Sequence, residues 1–499
     1  MPLAPISRFL ASAAFSVVAS AALADVTAED VWAHWQEQLS AYGESEVTIG
    51  GITRSGSILT VEGIEIRAED AGGASSVRIP QIIFAEGSDG TVAVTLPPLI
   101  MIGFSQDDSG GANLIDMALQ SVNASVLVSG TPDAMVYDFG ADRMTLSASE
   151  IVENGEGVPA DILFNANGLR GESRQNSGQT REVSSSFSAH SVDLLIGVDD
   201  GSSRIDLSAS ASDIFATSEA RFPAGATASM QDLRESGGFL RAGYESGLGT
   251  FVLAVNEDGS ATNIVVGTAS NRFELTIAAE TISMGSESTG VTVGLSGDTV
   301  PFPIALTATA LGQSFAFPVV STKGPVPMGM TLNVSDLALD DQIWTMLDPF
   351  GAVPHEPLTL QYTIEGTARL RYDLDDSDRD QKIGEGENPF EIHSANISGL
   401  RLAFAGAELT GEGAFIFDNA DTETFAGMPR PEGRARLEAI GINTLFDRLA
   451  TVGLLPDEQL MGFRMMLGMF ADVVGDDHLV SEVEITPAGQ ILLNGQRLR

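Results

Sequence analysis

Residues 57–70, SILTVEGIEIRAED, determine the fold class, because apolar and polar residues alternate along them. Leu59 and Val61 come first, and Ile64 and Ile66 follow on the far side of a glycine. Successive side chains of a β-strand point to opposite faces of the sheet. The pattern therefore predicts a strand with one buried and one solvated face.

The same period of two continues for several hundred residues. It is clear in DRMTLSAS at 142–149 and in RFELTIAAETISM at 272–284, and turn-forming pairs such as Asp89-Gly90 separate the strands. Amphipathic strands between turns are typical of antiparallel sheets. We therefore predict a mainly β protein with extended or curved antiparallel sheets, either sandwich-like or groove-forming. Only residues 114–120 leave a helix open as an alternative.

One helix is predicted before the strands, in residues 25–43. Thr27 followed three positions later by Asp30 is a variant of the capping box that begins many helices, and Gly43 is placed to end it. The apolar positions recur with helical spacing: Val31, Trp32, Trp35 and Leu39. Such a stripe is expected to dock the helix on a sheet, and a surface for a partner protein is the alternative.

Two more helices and a hairpin are predicted near the C-terminus. The first helix covers 442–452, and the second follows Pro456 and contains MGFRMMLGMF at 461–470. The apolar residues of the second helix repeat with helical spacing: Leu460, Phe463, Leu467 and Phe470. This stripe predicts packing on the sheet, whereas the methionines beside it leave open a helix that lines a groove. The hairpin follows, with its turn at 487–489.

A change in composition divides the chain into two predicted domains. The segment STKGPVPMGM at 321–330 is rich in proline and glycine. Such a segment is typical of a linker or a long loop. We therefore place a boundary near residue 325, between an N-terminal domain at 25–325 and a C-terminal domain at 326–499.

The uncharged segment at 299–322 needs a separate test as a membrane span. It contains three prolines and alternates apolar with small or polar residues on both sides of Gly312. Prolines and a period of two favour two strands joined by a turn at that glycine. No transmembrane segment is therefore expected after removal of the N-terminal signal.

Residues 1–24 have the layout of a secretory signal peptide. Arg8 is the only charge before Asp25, an apolar run spans 9–23, and Ala-Leu-Ala at 22–24 supplies a cleavage site. The sequence thus predicts cleavage after residue 24 and export to the periplasm. The chain has no cysteine, so neither disulfides nor the acylated cysteine of a lipoprotein is expected.

The charge balance excludes one class of partner. The chain has 68 acidic and 26 basic residues and a formal net charge of −42 at pH 7. A surface this acidic repels nucleic acid and anionic headgroups, so no nucleic-acid partner is expected. A solubilising surface is the simplest interpretation, and attraction of cations or of a basic partner is the alternative.

No arrangement of residues points to catalysis. The five histidines are far apart in sequence, and DDSGG at 107–111 lacks the partners of a catalytic triad. The sequence contains no nucleophile elbow, phosphate-binding loop or dinucleotide fingerprint. We therefore predict no enzyme and no catalytic, cofactor-binding or metal-binding residues.

One acidic loop at 376–387, DSDRDQKIGEGE, has the spacing of a calcium-binding loop. The ligand positions are filled by Asp376, Asp378, Asp380 and Glu387. Gln381 stands where the sharp turn of such a loop needs glycine. A solvated acidic loop between strands is the preferred interpretation, and calcium binding is the alternative.

Four C-terminal segments carry a resemblance to a known family. They are WTMLDPFGAVPHEPLTLQYTIEGTARLRYDL at 344–374, LAFAGAELTGEGAF at 402–415, GLLPDEQLMGFRMMLGMF at 453–470 and SEVEITPAGQILLNGQRL at 481–498. These segments resemble an uncharacterised alphaproteobacterial family of exported proteins, domain of unknown function 2125, and 24–43 is similar to the start of that family. The resemblance implies an envelope location and a β-rich fold, and it assigns no catalytic residue. A looser similarity is to AsmA-like envelope proteins, which implies a curved sheet that shields lipid.

Two functions from different classes follow from these features. A periplasmic protein that binds or shields a lipid or another apolar ligand is favoured by a long sheet with one apolar face. A structural scaffold that binds another envelope protein is the alternative, favoured by the absence of chemical motifs and by the helix with two tryptophans. An enzyme has no supporting motif.

Overall fold

The computed structural model describes residues 26–41, 45–70, 73–108, 111–153, 156–178, 180–199, 201–223, 237–373 and 389–498. Strands dominate, and the predicted mainly β fold with a few helices is confirmed. The predicted signal peptide at 1–24 and the acidic loop at 376–387 lie outside the described residues.

The chain divides into two compact units. The first is Met1–Asn271 with Leu295–Phe302, and the second is Arg272–Gly294 with Pro303–Arg499. The boundary predicted near residue 325 lies within the second unit.

The first unit contains one described helix, α1 (Ala28–Ala41). Its strands are β1 (Ser45–Ser55), β2 (Ile58–Asp70), β3 (Gly73–Glu86), β4 (Val92–Thr95), β5 (Leu99–Asp108), β6 (Gly111–Val122), β7 (Ser125–Thr131), β8 (Ala134–Glu153), β9 (Glu156–Ser177), β10 (Thr180–Asp199), β11 (Ser203–Pro223), β12 (Phe239–Ser246), β13 (Gly249–Glu257) and β14 (Ser260–Thr268). Two further strands, β15 (Ser270–Ala278) and β16 (Thr281–Gly297), each include residues of both units.

The second unit contains three described helices, α2 (Asp341–Leu347), α3 (Ile442–Thr451) and α4 (Asp457–Phe470). Its remaining strands are β17 (Ile304–Pro318), β18 (Val326–Leu339), β19 (Leu358–Leu370), β20 (Phe390–Phe404), β21 (Ala407–Asp418), β22 (Arg430–Ile440), β23 (Asp472–Gly475), β24 (His478–Ile485), β25 (Ile491–Leu493) and β26 (Gln496–Arg497).

The sheet of the first unit is an antiparallel meander, in which strands that follow each other in sequence pair side by side. At three places two short strands stand in for one long strand: β4 and β5 share β3, β6 and β7 share β8, and β12 and β13 share β11. The first break falls at Pro97-Pro98, which have no N–H to donate to a neighbouring strand. The second falls beside Asn123, whose φ of 51° interrupts an extended chain.

The sheet of the second unit has the same up-and-down order. Strands β17 to β22 pair in sequence order, and β22 then pairs with β24, which also pairs with β23 and β25. The predicted terminal hairpin is confirmed, and its turn closes through a hydrogen bond from the Gly489 N–H to the Thr486 carbonyl (2.9 Å).

The structure contradicts two local predictions, a possible helix at 114–120 and a turn at Gly312. Residues 114–120 belong to β6, which pairs with β5 on one side and β8 on the other, and not to a helix. A short apolar run does not by its period alone separate a strand from a helix. The turn predicted at Gly312 is wrong, because β17 runs through it and pairs with β18 on both sides of it. Among the described residues, no helix has both the length and the apolar character needed to cross a membrane.

The C-terminal helices occur where the sequence predicts them, but the second is poorly covered. Helix α3 contacts β21, and α4 contacts α3. Phe463 and Phe470, which are predicted to face the sheet, are exposed. The structure therefore favours an open α4 over one packed fully on the sheet.

Candidate functional site

Helix α1 docks on one face of the first unit's sheet. The predicted capping box is present: the Asp30 N–H donates to Thr27 Oγ1 (3.2 Å), and the Thr27 N–H donates to Asp30 Oδ2 (3.0 Å). Trp32 and Trp35 are buried, and their rings lie 6.1 and 5.5 Å from the ring of Phe84 on β3. The local signals at 27–35 thus fix both the start of α1 and the side that it buries. Gly43, the predicted end signal, lies outside the described residues.

Six neighbouring strands contribute buried residues to the core around α1: β2, β3, β4, β7, β8 and β9. Strands in a sheet lie about 4.8 Å apart, so six of them span roughly 24 Å. A helix with its side chains is only about 10–12 Å wide. Helix α1 nevertheless contacts β2 and β3 and also reaches β8 and β9 through His34 and Gln38. A flat sheet could not bring strands this far apart to one helix, so the sheet of this unit curves around α1.

His34 is the polar residue of α1 that enters this core. Its Nδ1 is hydrogen-bonded to the Tyr137 hydroxyl on β8, and its Nε2 lies 3.2 Å from the amide nitrogen of Gln38, which donates to Gln175 on β9 (2.6 Å). Burial, assisted by the charge of Arg181, lowers the pKa of His34 to about 4, and burial raises the pKa of Tyr137. Both side chains are buried, so this neutral pair fixes the helix on the sheet rather than meeting a substrate.

The apolar face extends beyond α1 onto β10 and β11. The apolar residues that share the face of α1 are Val192, Leu194, Ile196 and Val198 on β10 and Ile205, Leu207, Ala209 and Ala211 on β11. Apart from Leu195, the positions between them are polar or glycine: Ser191, Asp193, Gly197, Asp199, Arg204, Asp206, Ser208 and Ser210. None of the eight apolar side chains is buried, and Ile205 is 43 % exposed. The sheet is therefore amphipathic here, with its apolar side only partly covered.

The strand register joins these residues into two rows across the sheet. One row is Leu146, Phe164, Leu194, Ala209, Phe251 and Val266. The next is Ala148, Ile162, Ile196, Leu207, Leu253 and Ile264. Side chains directly opposite each other on neighbouring strands lie about 5 Å apart, so each row is continuous across its six strands. We call these two rows the apolar rows.

The second unit has an amphipathic sheet of its own. On β18 and β19 the apolar residues Leu332, Val334, Leu360 and Ile364 alternate with the polar residues Asn333, Ser335, Gln361 and Thr363. The Gln361 side chain donates to Asn333 Oδ1 (2.9 Å) and to Ser335 Oγ (3.0 Å). The polar side of this sheet therefore satisfies its own hydrogen bonds across strands.

Two of the open cavities in the described part of the chain each lie within one unit. One of about 310 Å³ lies beside Thr276, Ser314, Thr331 and Glu365 on the second unit. The other, of about 340 Å³, lies beside Pro97-Pro98 where β4 gives way to β5. Neither is lined by a residue of the apolar rows. The candidate site is therefore an open sheet face and not an enclosed pocket.

The histidines are not gathered into a site. His34 is buried in α1 and His190 is exposed on β10, while His355, His393 and His478 belong to the second unit. Within the described ranges, no group of three or more metal-binding side chains comes together. Asp107 and Asp108 of the DDSGG segment end β5, and 109–110 lie outside the described residues.

Sequence reasoning missed the apolar rows as a site, although their signal was in the sequence. SVDLLIGVD at 191–199 and RIDLSASA at 204–211 alternate as clearly as the segment at 57–70. No protein-family model matches the chain, and neither the curated proteins nor the solved structures contain a match. The resemblance to the exported family and to AsmA-like proteins therefore stays a prediction.

Proposed function

We propose that the protein binds an apolar ligand, such as the acyl chains of a lipid, on the apolar rows of the first unit. The observation that supports this most directly is that the face which packs against α1 continues across β8–β14 with side chains that are mostly not buried. The proposal includes the periplasmic location expected from the signal peptide. It assigns a binding role without catalysis or a cofactor.

The energetics favour an acyl chain as the occupant. Each methylene group removed from water contributes about 0.8 kcal/mol, so a chain of about 14 methylenes gains on the order of 11 kcal/mol before the costs of ordering it. Each row crosses six strands and is roughly 24 Å long. One leaflet of a bilayer is about 15 Å thick in its hydrocarbon part, so a single row exceeds the length of one lipid tail.

Helix α1 sets one limit of the proposed site. Met144, Phe164 and Val192 pack against the core that α1 closes. A ligand on the rows would therefore lie beside the helix and extend an existing core, with the opposite side of the sheet left in water. Such a ligand would cover row side chains that the fold leaves only partly buried.

The first test is ligand capture by the full-length protein. Lipid extraction followed by mass spectrometry should recover a bound lipid, and a fluorescent fatty acid should bind with increased emission. Leu194→Asp places a charge in the middle of one row. It should weaken probe binding about tenfold or more, because it removes one apolar contact with the probe and holds water at the centre of the row.

Leu195→Asp is the matched control. Leu195 is the next residue on the same strand, points to the opposite face and is 47 % exposed. Both variants introduce the same charge into β10, and circular dichroism verifies that both remain folded. A wild-type protein that yields no lipid and binds no probe would overturn the proposal, as would equal probe binding by the two variants.

A further inference from the structure

Helix α4 presents an apolar face that the fold does not use. Met461, Met465 and Met469 are spaced by four residues, so they lie on one side of the helix, and they are 74 %, 69 % and 61 % exposed. Met466 widens the face and is also exposed. We call these four residues the methionine face. Large exposed apolar patches on a folded protein usually mark a site of interaction.

The opposite side of α4 is held in place. The rings of Phe463 and Phe446 on α3 lie 5.6 Å apart, and Arg464 forms a 2.7 Å ion pair with Asp447. At the far end of the helix, the Ser481 hydroxyl on β24 donates to the Phe470 carbonyl (2.7 Å). The methionine face is therefore carried by a docked helix, not by a frayed end.

Helix α3, on which α4 rests, is itself anchored. The Asp477 carboxylate accepts the N–H groups of Asn443 (2.9 Å) and Thr444 (2.8 Å) in the first turn of α3. The Arg448 side chain donates to the carbonyl of Ala405 (3.5 Å) in the turn between β20 and β21. These contacts hold both ends of α3 in place. Because α4 packs on α3, they also fix the orientation of the methionine face.

The border of the methionine face is acidic. Residues 441–477 contain six acidic side chains and two basic ones, Arg448 and Arg464. Both arginines are engaged within the unit, by the Ala405 carbonyl and by Asp447. Glu458, Asp472 and Asp476 are exposed. A partner for this face gains electrostatically if it is positively charged.

We propose that the methionine face docks a basic amphipathic segment of a partner protein. Methionine side chains are flexible and polarisable, so a surface made of them can adapt to the apolar ridge of a helix. The acidic border would pair with lysines or arginines beside that ridge. A bilayer surface is disfavoured, because the net charge of −42 opposes anionic headgroups and both arginines of residues 441–477 are already engaged within the unit.

A model peptide of leucine and lysine, designed as an amphipathic helix, is the probe for this site. Fluorescence anisotropy with the full chain should detect binding, and a peptide with the same leucine positions but glutamate in place of lysine should not bind. A basic peptide could also bind an acidic protein without specificity, so the decisive readout is dependence on the methionines. The triple substitution Met461→Ser, Met465→Ser and Met469→Ser should weaken binding about tenfold or more.

The matched control replaces three exposed methionines elsewhere in the same unit: Met330→Ser, Met346→Ser and Met428→Ser. It should bind the basic peptide like the wild type. Glu458→Gln with Asp472→Asn should weaken binding about threefold and reduce its dependence on salt.

Three outcomes would overturn the proposal. They are equal weakening by the two triple variants, equal binding of the acidic peptide, and methionine-dependent binding of phosphatidylcholine vesicles without binding of the basic peptide. The test is independent of the proposed lipid site. The α4 variants should leave fatty-acid binding unchanged, and Leu194→Asp should leave peptide binding unchanged.

Discussion

The side chain of His34 extends from α1 and is buried against β8, where its ring stacks on that of Tyr137 with the centroids 5.8 Å apart. Removal from water disfavours the charged imidazole, and the positive charge of Arg181 adds to this effect. The lowered pKa therefore couples the docking of α1 to the protonation state of one residue.

We expect the free energy of unfolding to fall as the pH drops from about 6.5 toward 4. In this range the unfolded chain takes up a proton at His34, whose ordinary pKa is 6.5, while the folded ring, with a pKa of about 4, stays neutral. The neutral ring thus stabilises the fold fully above pH 6.5, and this contribution is lost as the pH falls. One pKa unit corresponds to about 1.4 kcal/mol, so the loss by pH 4 is on the order of 3 kcal/mol. Urea unfolding across this pH range measures it.

Carboxylates also titrate near the lower end of this range, so a difference measurement is needed. The stability of the wild type minus that of His34→Gln should decline with falling pH, because every other titrating group is shared. His190→Gln, which changes an exposed histidine on β10, should follow the wild type. Parallel curves for the wild type and His34→Gln would contradict a neutral buried ring.

Two of the strands that form the α1 core, β7 and β8, are joined in a hairpin whose geometry depends on one glycine. Gly130 has a φ of 101°, and a Cβ atom there would lie 2.2 Å from the Ala134 carbonyl oxygen. Gly130→Ala should therefore destabilise the protein by more than about 1 kcal/mol, through backbone strain and a displaced strand end. Urea unfolding followed by circular dichroism is the measurement.

Gly51 on β1 is the matched control for this substitution. A Cβ atom there meets nothing within 4 Å, and its φ is not positive. Gly51→Ala should leave stability unchanged or raise it slightly, because alanine restricts the unfolded chain. Equal effects of the two substitutions would contradict the positive φ of Gly130 and its close approach to the Ala134 carbonyl oxygen.

The predictability of an element from sequence depends on where its signals lie. Helix α1 was predictable because its capping pair and its apolar stripe are local. The turn at Gly312 was not, because a glycine inside β17 is distinguished from a turn only by the strands that pair with it. The extent of α4 was also predictable from local signals. The exposure of Phe463 and Phe470 was not, because whether a side chain is buried depends on a packing partner that is distant in sequence.

At the scale of the whole molecule, the period of two predicts the fold class because an antiparallel sheet with one solvated side repeats every second residue. It cannot predict which part of the apolar side is covered. The alternation at 57–70 and that at 191–199 look alike, yet Val61 is fully buried beneath α1 and Leu194 is not. The difference arises from the position of α1, which contacts strands more than a hundred residues away in sequence, as the His34–Tyr137 hydrogen bond illustrates. The candidate site thus depends on long-range packing that no local pattern records.

The charge of the whole chain leads to the last prediction, that added salt stabilises the protein. If every one of the 26 basic residues were paired with a carboxylate, 42 carboxylates would still repel one another. Exposed ion pairs such as Arg204–Asp206 contribute little to stability. Salt that screens them therefore removes less stability than it adds by screening the repulsion among the excess carboxylates.

The midpoint of thermal unfolding should therefore rise between low salt and about 0.5 M chloride, because the Debye length shrinks from roughly 30 Å at 0.01 M to a few ångströms. Sodium, potassium and choline chloride should act alike, since screening depends on ionic strength and not on the identity of the cation. A rise with one cation alone would point instead to a specific site. A fall with all three would mean that attractive pairs outweigh the excess of 42 negative charges.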